Sequence, residues 1–383
     1  MYQFAFLFAF LLFIGFSFFV YFNYPVSWRK NSMFNLVLLI WHFFGLSAIG
    51  VIFTSFRKIT HQGLRYEIVR VGTYYYLMIL LLTIFFGVRL IISLIYVWVK
   101  KKRNEPIPEA GTRLITDKRM HSIVFIAAAY IVCTIGFFNI DILHEKEYDI
   151  AIPKQSEPAS LTISFLADVH AGSGNWDFTY DDMVSIINRS SPDVVLLGGD
   201  IYDETTSDID VAMFEDALKR IDPPRYGIYY IYGNHDNYTD DWAGKRMEEA
   251  GVRVLKDEMV MLGNDIQLIG TMDPKHDHLS VEELFQKTAP DRSKPVIVLT
   301  HRPEHFNELD LAGADISLAG HTHGFNFPFA LGSPLLEDMY YGEKQYGDMT
   351  AITTSGVAAW GWHYKFPAQS EVVTLHLHFT GRN

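Results

Sequence analysis

Asp168 and His170 stand two positions apart, and Asp200 closes a Gly-Gly-Asp triplet. Asn234, His235 and Asp236 follow Gly233, His301 follows Thr300, and His321 and His323 flank Thr322 in Gly-His-Thr-His-Gly. Carboxylates, imidazoles and one amide oxygen, with no thiolate among them, suit borderline-hard divalent cations such as Mn, Fe or Zn. A carboxylate can lend its two oxygens to two ions at once. Two ions held ~4 Å apart make a hydroxide available at neutral pH and clamp both sides of an in-line displacement at phosphorus. The leaving oxygen then needs a proton, and histidine is the side chain that exchanges one near neutrality. Singly these motifs are weak: Asp-x-His recurs by chance, Asn234-His235-Asp236 fits a turn or a helix cap, and His321 and His323 fit one face of a strand. Their order, each after a β-rich run, carries the signal.

The runs that must position them are Leu161–Leu166, Val194–Leu197, Ile228–Tyr232, Gln267–Ile269, Val296–Leu299 and Ile316–Leu318, which read as strands. Amphipathic stretches at Asp181–Asn188, Asp210–Ile221, Asp240–Ala250, Val281–Thr288 and Glu304–Leu309 read as helices between them. The alternation predicts α/β layers around a sheet. In open α/β sheets ligands gather at the carboxyl ends of strands, so the strand ends bring the named side chains to one rim. The closing segment Glu371–Phe379 alternates with period two, which puts His376 and His378 on a wet strand face rather than at a metal.

This series resembles the calcineurin-like metallophosphoesterase superfamily, over roughly residues 160–383, and with the apolar segments that precede it the chain resembles the subfamily of transmembrane proteins carrying a metallophosphoesterase domain. The resemblance implies a β-sandwich flanked by helices, and two divalent metal ions. It implies Asp168, His170 and His323 as ligands of the first ion, Asn234, His301 and His321 as ligands of the second, and Asp200 as the bridge. It implies His235 as leaving-group acid and phosphate contact, oriented by Asp236. Many relatives continue Gly-His-Thr-His-Gly with Gly-Gln, where this chain has Phe325-Asn326; the ligands are intact and the departure bears on substrate preference.

The rest of the chain has another character. Residues 1–149 hold 15 Lys and Arg against 8 Asp and Glu, while residues 150–383 hold 17 against 36. A basic, greasy half followed by an acidic one excludes a single soluble domain, and the acidic half offers no basic surface to nucleic acid. Stretches at about 2–24, 32–54, 73–99 and 120–140 are long and apolar enough to span a bilayer, so residues 1–149 read as a four-helix membrane domain, 150–159 as a linker and 160–383 as the phosphoesterase domain. A cleaved signal peptide is not expected, since the first segment lacks a basic start and a small-residue cleavage site. The first and third loops carry nine Lys and Arg against four in the second. The positive-inside rule then puts the catalytic domain outside the cytoplasm of a plasma or inner membrane. Arg89 is the one charge inside a span, read as snorkelling to the headgroups. The only cysteine, Cys133, lies in the fourth span, so no disulfide forms within the chain.

Lys275-His276-Asp277-His278 reads as an exposed loop. Arg302, beside His301, is a candidate phosphate contact or a plain surface charge. Aromatic residues between Phe325 and Tyr341, with Trp360 and Trp362, are mostly sandwich core. Some of them, the two tryptophans in particular, are expected to form an apolar lip for a lipid tail. The functional expectation is a membrane-tethered phosphohydrolase with a lipid-linked or membrane-associated substrate; oligomeric state is left open. One alternative is pyrophosphate cleavage of UDP-2,3-diacylglucosamine in lipid A synthesis, whose cytoplasmic substrate conflicts with the expected orientation. Another is a non-catalytic ligand-binding sensor.

Overall fold

The computed structural model describes residues 2–55, 62–107, 117–172, 177–236, 241–275, 278–328 and 338–381. The chain forms two compact units, residues 1–135 and 136–383.

The first unit is helical: α1 (Tyr2–Asn23), the single turn α2 (Val26–Arg29), α3 (Ser32–Ser55), α4 (Gln62–Lys102) and most of α5 (Lys118–Asp141). Spans within α3, α4 and α5 are long and apolar enough to cross a membrane. α4 exceeds the expected 73–99: 41 residues at 1.5 Å each reach about 60 Å, roughly twice the hydrocarbon thickness. Gly45 lets α3 approach α4, because a Cβ there would enter the ring of Tyr75. His42 Nδ1 lies 2.6 Å from the Tyr75 hydroxyl, so His42 is a packed, hydrogen-bonded side chain.

The second unit is a two-sheet sandwich. Its elements are β1 (Leu143–Ile152), β2 (Ser160–Leu166), α6 (Asp177–Ser190), β3 (Val194–Leu197), α7 (Asp208–Lys219), β4 (Ile228–Tyr230), α8 (Trp242–Glu249), β5 (Arg253–Val254), β6 (Glu258–Leu262), β7 (Ile266–Gly270), α9 (Val281–Thr288), β8 (Val296–Leu299), α10 (Phe306–Ala312), β9 (Ile316–Ala319), β10 (Gly342–Tyr346), β11 (Met349–Thr353) and β12 (Ser370–Phe379). One sheet has the order β1-β12-β2-β3-β4-β5 and the other β10-β11-β9-β8-β7-β6. The central strands are buried on both faces, and their period of two divides them between cores. Val194 and Leu196 enter the core between the sheets with Phe165, Ile297 and Leu318. Val195 and Leu197 point the other way, to Met183, Phe214 and Leu218 of α6 and α7. Val296 and Val298 likewise meet Leu284, Phe306 and Leu309 of α9 and α10. Capping boxes at Ser207/Asp210 and Ser280/Glu283 start α7 and α9. The helix-flanked sandwich is the fold that the resemblance implied.

β1 departs from expectation. Residues 143–152 were assigned to the end of the membrane domain and to the linker, yet they pair in parallel with all of β12, from Leu143↔Ser370 to Ile152↔Phe379. The strand lies at a sheet edge, where its first half carries charges at Glu145, Lys146 and Glu147, and only Tyr148, Ile150 and Ile152 alternate against the core. β5, β6, β10 and β11 also lie outside the expected strands.

Candidate metal centre

The parallel strands β2, β3 and β4 of one sheet and β8 and β9 of the other each end in a loop that carries the predicted donors. The loops turn sharply. Asp168, His170, Asp200, His321 and His323 all have positive φ, between 44° and 72°. L-residues enter the left-handed region at a cost of order 1 kcal/mol or more each, and such strain gathers where a side chain must be aimed. Gly233 is required by close approach, since a Cβ there would collide with the Asp200 carboxylate.

The donors fall into two groups. One ligand atom each from Asp168, His170 and His323 lie within 4.8 Å of one another, as do those from Asp200, His301 and His321. Asp200 Oδ2 sits between them, 3.2 Å from His301 Nε2 and 3.8 Å from His170 Nε2. Its other oxygen accepts the His235 backbone N–H at 2.7 Å. Asn234 Oδ1 lies 3.1 Å from His301 Nε2 and so joins the second group. Outer contacts orient the rings: His301 Nδ1 donates to Gly198 O at 2.8 Å, His323 Nδ1 to Ala358 O at 3.3 Å, and His170 Nδ1 lies 3.3 Å from Asp203 Oδ2. Donation from Nδ1 points Nε2 of His301 and His323 inward, where a neutral ring would offer its lone pair to an ion.

The electrostatics fit a cation. Burial, with Asp200 adding to it, pushes the Asp168 carboxyl up. Burial acts the same way on Asp200, but His301, His170 and His235 outweigh it and hold that carboxyl below the usual range. Burial opposes charge on His301, yet neighbouring Asp200 and Asp168 raise it to about 10. His321 is lowered to about 3, by burial and then by His301, and burial lowers His323 too. Two buried carboxylates therefore draw positive charge into the centre, while two imidazoles stay neutral and able to coordinate. Oxygen and imidazole donors at these separations fit a pair of divalent ions.

Asp236 does something other than expected. Its carboxylate accepts backbone N–H groups of Asp200 at 2.5 Å and of Tyr202 and Gly233 at 2.9 Å. It thus ties two strand-end loops together instead of orienting the His235 ring. The group facing that ring is Glu204, whose two oxygens each lie 3.2 Å from His235 Nδ1. Trp360 stacks on the same ring, with centroids 4.8 Å apart and planes 29° from parallel. Arg302 turns its fork to the buried Asp273, with Nε 2.7 Å from Oδ2, and so forms an ion pair beside the site. Trp362 makes a tight backbone turn between Trp360 and Tyr364. His276 and Asp277, and residues 329–337 of the aromatic segment, lie outside the described residues. His378 is exposed beside Asp149, and His376 lies near Thr162 on β2, as the closing strand requires.

Sequence reasoning singled out Trp360 and Trp362 but missed what their segment holds together. Ala358 donates its N–H to Asp168 O at 2.9 Å, and Trp360 follows on His235. His363 Nε2 then lies 2.5 Å from Asp141 Oδ1 and the Lys365 N–H donates to Gly136 O at 3.0 Å. Gly136–Asp141 is the C-terminal end of α5 and belongs to the second unit. Asn326, the departure noted after the Gly-His-Thr-His-Gly motif, clamps this strap: its amide donates to Tyr364 O at 2.8 Å and accepts from the Phe366 N–H at 3.0 Å.

Residues 161–325 match the family model of the calcineurin-like phosphoesterases. An uncharacterised metallophosphoesterase of Helicobacter pylori is 31% identical over 241 residues, 61% of this chain and 63% of that protein. A transmembrane protein with metallophosphoesterase domain from Danio rerio is 28% identical over 255 residues, 61% of this chain and 57% of its own length. A phosphodiesterase of Escherichia coli, YaeI, is 27% identical over 231 residues, covering 57% and 83%. The chain spans less than two thirds of the length of the first two of these relatives.

Proposed function

We propose that this chain, which carries a calcineurin-like phosphoesterase domain, is a membrane-bound phosphohydrolase that uses two divalent ions and acts on a phosphoester presented at the bilayer surface. Asp168, His170 and His323 would hold one ion and Asn234, His301 and His321 the other, with Asp200 between them. When bound, two ions such as Mn, Fe or Zn supply a hydroxide nucleophile at neutral pH and Lewis-acid stabilisation of the phosphoryl oxygens. A P–O bond forms on one side of phosphorus, the ester P–O bond breaks on the other, and the leaving oxygen takes a proton. His235 is the group that gives it.

The bilayer half of this reading is carried by the strap. Residues that touch Asp168 and His235 lie within five positions of residues bonded to the end of α5, a helix apolar enough to span a membrane. Three residues of extended chain reach at most about 11 Å, which keeps Trp360 and the His235 beneath it close to the point where α5 ends. The half-exposed Trp360 suits an interface, where indoles gather. The apolar segments 2–24, 32–54, 73–99 and 120–140 are taken as four spans, and the loop charges support an orientation with the catalytic unit outside the cytoplasm. A cytoplasmic UDP-2,3-diacylglucosamine substrate requires the opposite orientation.

The test uses the full chain in liposomes with Mn, comparing a phosphoester lipid in the same vesicles with a soluble aryl phosphodiester. Both should be hydrolysed, the lipid with the higher kcat/KM, and both rates should vanish in Asp200→Ala. A wild type that binds two ions and hydrolyses neither defeats the enzymatic reading in favour of a ligand-binding sensor. A soluble ester cleaved as well as the lipid defeats the bilayer half alone.

A further inference from the structure

His235 stands on the loop after β4 with 16% of its side chain exposed, and the Glu204 and Trp360 side chains both meet its ring. Glu204 faces Nδ1 with both carboxylate oxygens at 3.2 Å. The Trp360 indole covers one face of the ring at 4.8 Å. The two are joined to each other, since Trp360 Nε1 donates to Glu204 Oε2 at 3.3 Å. The triangle draws on separate regions: Glu204 from the loop after β3, His235 from the loop after β4, and Trp360 from the strap between β11 and β12.

We propose that Glu204 and Trp360 are the positioning residues of His235, fixing the plane and tautomer of its imidazole so that Nε2 meets the leaving oxygen. A carboxylate takes a hydrogen bond only from a nitrogen that carries a proton, so Glu204 assigns Nδ1 as a donor and leaves Nε2 for proton exchange. A carboxylate alone leaves the ring free to swing about the Nδ1 contact. The stacked indole removes that freedom, and its own N–H pins the carboxylate oxygen that would otherwise rotate with it. Because a proton donor must lie within hydrogen-bond reach of its target, a ring free to turn loses much of its contribution. Asp236 cannot serve here, its oxygens being engaged by three backbone N–H groups. The inference rests on His235 as the leaving-group acid.

The discriminating measurement is kcat/KM of the Mn-loaded full chain for aryl phosphodiesters whose leaving groups run from dinitrophenol to phenol. An acidic phenol departs without help, whereas phenol itself needs the proton. Glu204→Leu and Trp360→Leu should each slow the phenyl ester by roughly 10- to 100-fold, part of the contribution of a general acid, and leave the dinitrophenyl ester nearly unchanged. His235→Ala should steepen the same dependence further, and Glu204→Gln, which keeps an acceptor oxygen, should recover much of the loss. An equal slowing of every ester, or none, would overturn the proposal and assign these residues to structure. A second readout needs no turnover. Trp360 emission, obtained from the metal-free full chain by difference with Trp360→Phe, should change in both His235→Ala and Glu204→Leu. Unchanged emission in both overturns the contact geometry even if the wild type hydrolyses nothing, while changed emission without turnover retains the clamp and defeats the enzymatic reading beneath it.

Discussion

Lys365 donates its backbone N–H to the carbonyl of Gly136 at 3.0 Å. Its fully buried Nζ reaches the carbonyls of Ser355 and Gly356 at 2.6 and 2.5 Å. Gly356 in turn lies so close behind Asp168 that a Cβ on it would stand 2.6 Å from that residue's own Cβ. One lysine therefore joins the end of α5, a helix apolar enough to span a membrane, to the backing of a candidate metal ligand.

Gly136 is where this seat is most easily disturbed. A Cβ there would enter the ring of Tyr364, and overpacking of this kind costs ~1–3 kcal/mol. Gly136→Ala should lower the unfolding midpoint of the full chain in detergent by roughly 2–4 °C per kcal/mol. Hydrolysis of a bilayer phosphoester should fall further than that of a soluble one, because only the former needs the rim held at the helix end. Equal losses on both substrates would count against the coupling.

Lys365 should give the second unit an unusual pH dependence. Burial lowers its ammonium to about 7, against the attraction of Glu371 and Asp168. The unfolded chain thus binds one more proton than the folded one between about pH 7 and the ordinary lysine value near 10.4. The penalty for a charged Lys365 is complete below pH 7 and is relieved as pH rises through that window. Lys365→Met should destabilise throughout by leaving two carbonyls without their donor, about 1–3 kcal/mol for each. The gap in midpoint between wild type and variant should widen from about pH 6.5 to about pH 9.5. A constant gap would show that Lys365 folds with its charge retained.

Most of the rim was legible in the sequence because its donors follow directly on β-rich runs that are almost wholly buried. Val194–Leu197 and Val296–Leu299 have the predicted bounds, and the side chains after them are where strand geometry puts them. β1 was not legible, because the first half of this edge strand is charged, its apolar alternation is confined to Tyr148, Ile150 and Ile152, and its pairing is set by β12, more than 200 residues away. The roles of Asp236 and Glu204 were hidden for another reason. Adjacency to His235 made Asp236 the natural partner, but a turn can carry a neighbouring carboxylate to backbone N–H groups, and a residue 31 positions away then faces the ring. Asn326 read as a departure bearing on substrate preference, and nothing in the sequence showed that its amide secures the strap.

Asp236 and His235 should therefore fail in different ways. Asp236→Ala removes the acceptor for three backbone N–H groups in two loops. Leaving buried donors unsatisfied costs about 1–3 kcal/mol each. The variant should lose stability and ion binding together, slowing all aryl phosphodiesters alike. His235→Ala should keep the unfolding midpoint and the bound ions and lose rate in proportion to leaving-group basicity. A leaving-group effect in Asp236→Ala at full ion occupancy would restore it as the partner of His235.

Ion removal tests the centre as a whole. Asp168 and Asp200 are buried within one site, and without cations the charge there is countered by protons on the neighbouring imidazoles and by Lys365. Ions bind the folded state, whose donors already lie within 4.8 Å of one another in each group, and not the unfolded chain. At a hundred times its dissociation constant a ligand of this kind stabilises by about 2.7 kcal/mol. Chelation should accordingly lower the midpoint of the full chain by several degrees, and Mn should restore it. Asp200→Asn removes a charge that faces both groups, so its Mn-dependent increment should fall by more than half. His321→Ala, which strips one donor from a single group, should leave an increment from the other. An Asp200→Asn protein that gains as much from Mn as the wild type would mean that the carboxylate between the two groups holds neither ion.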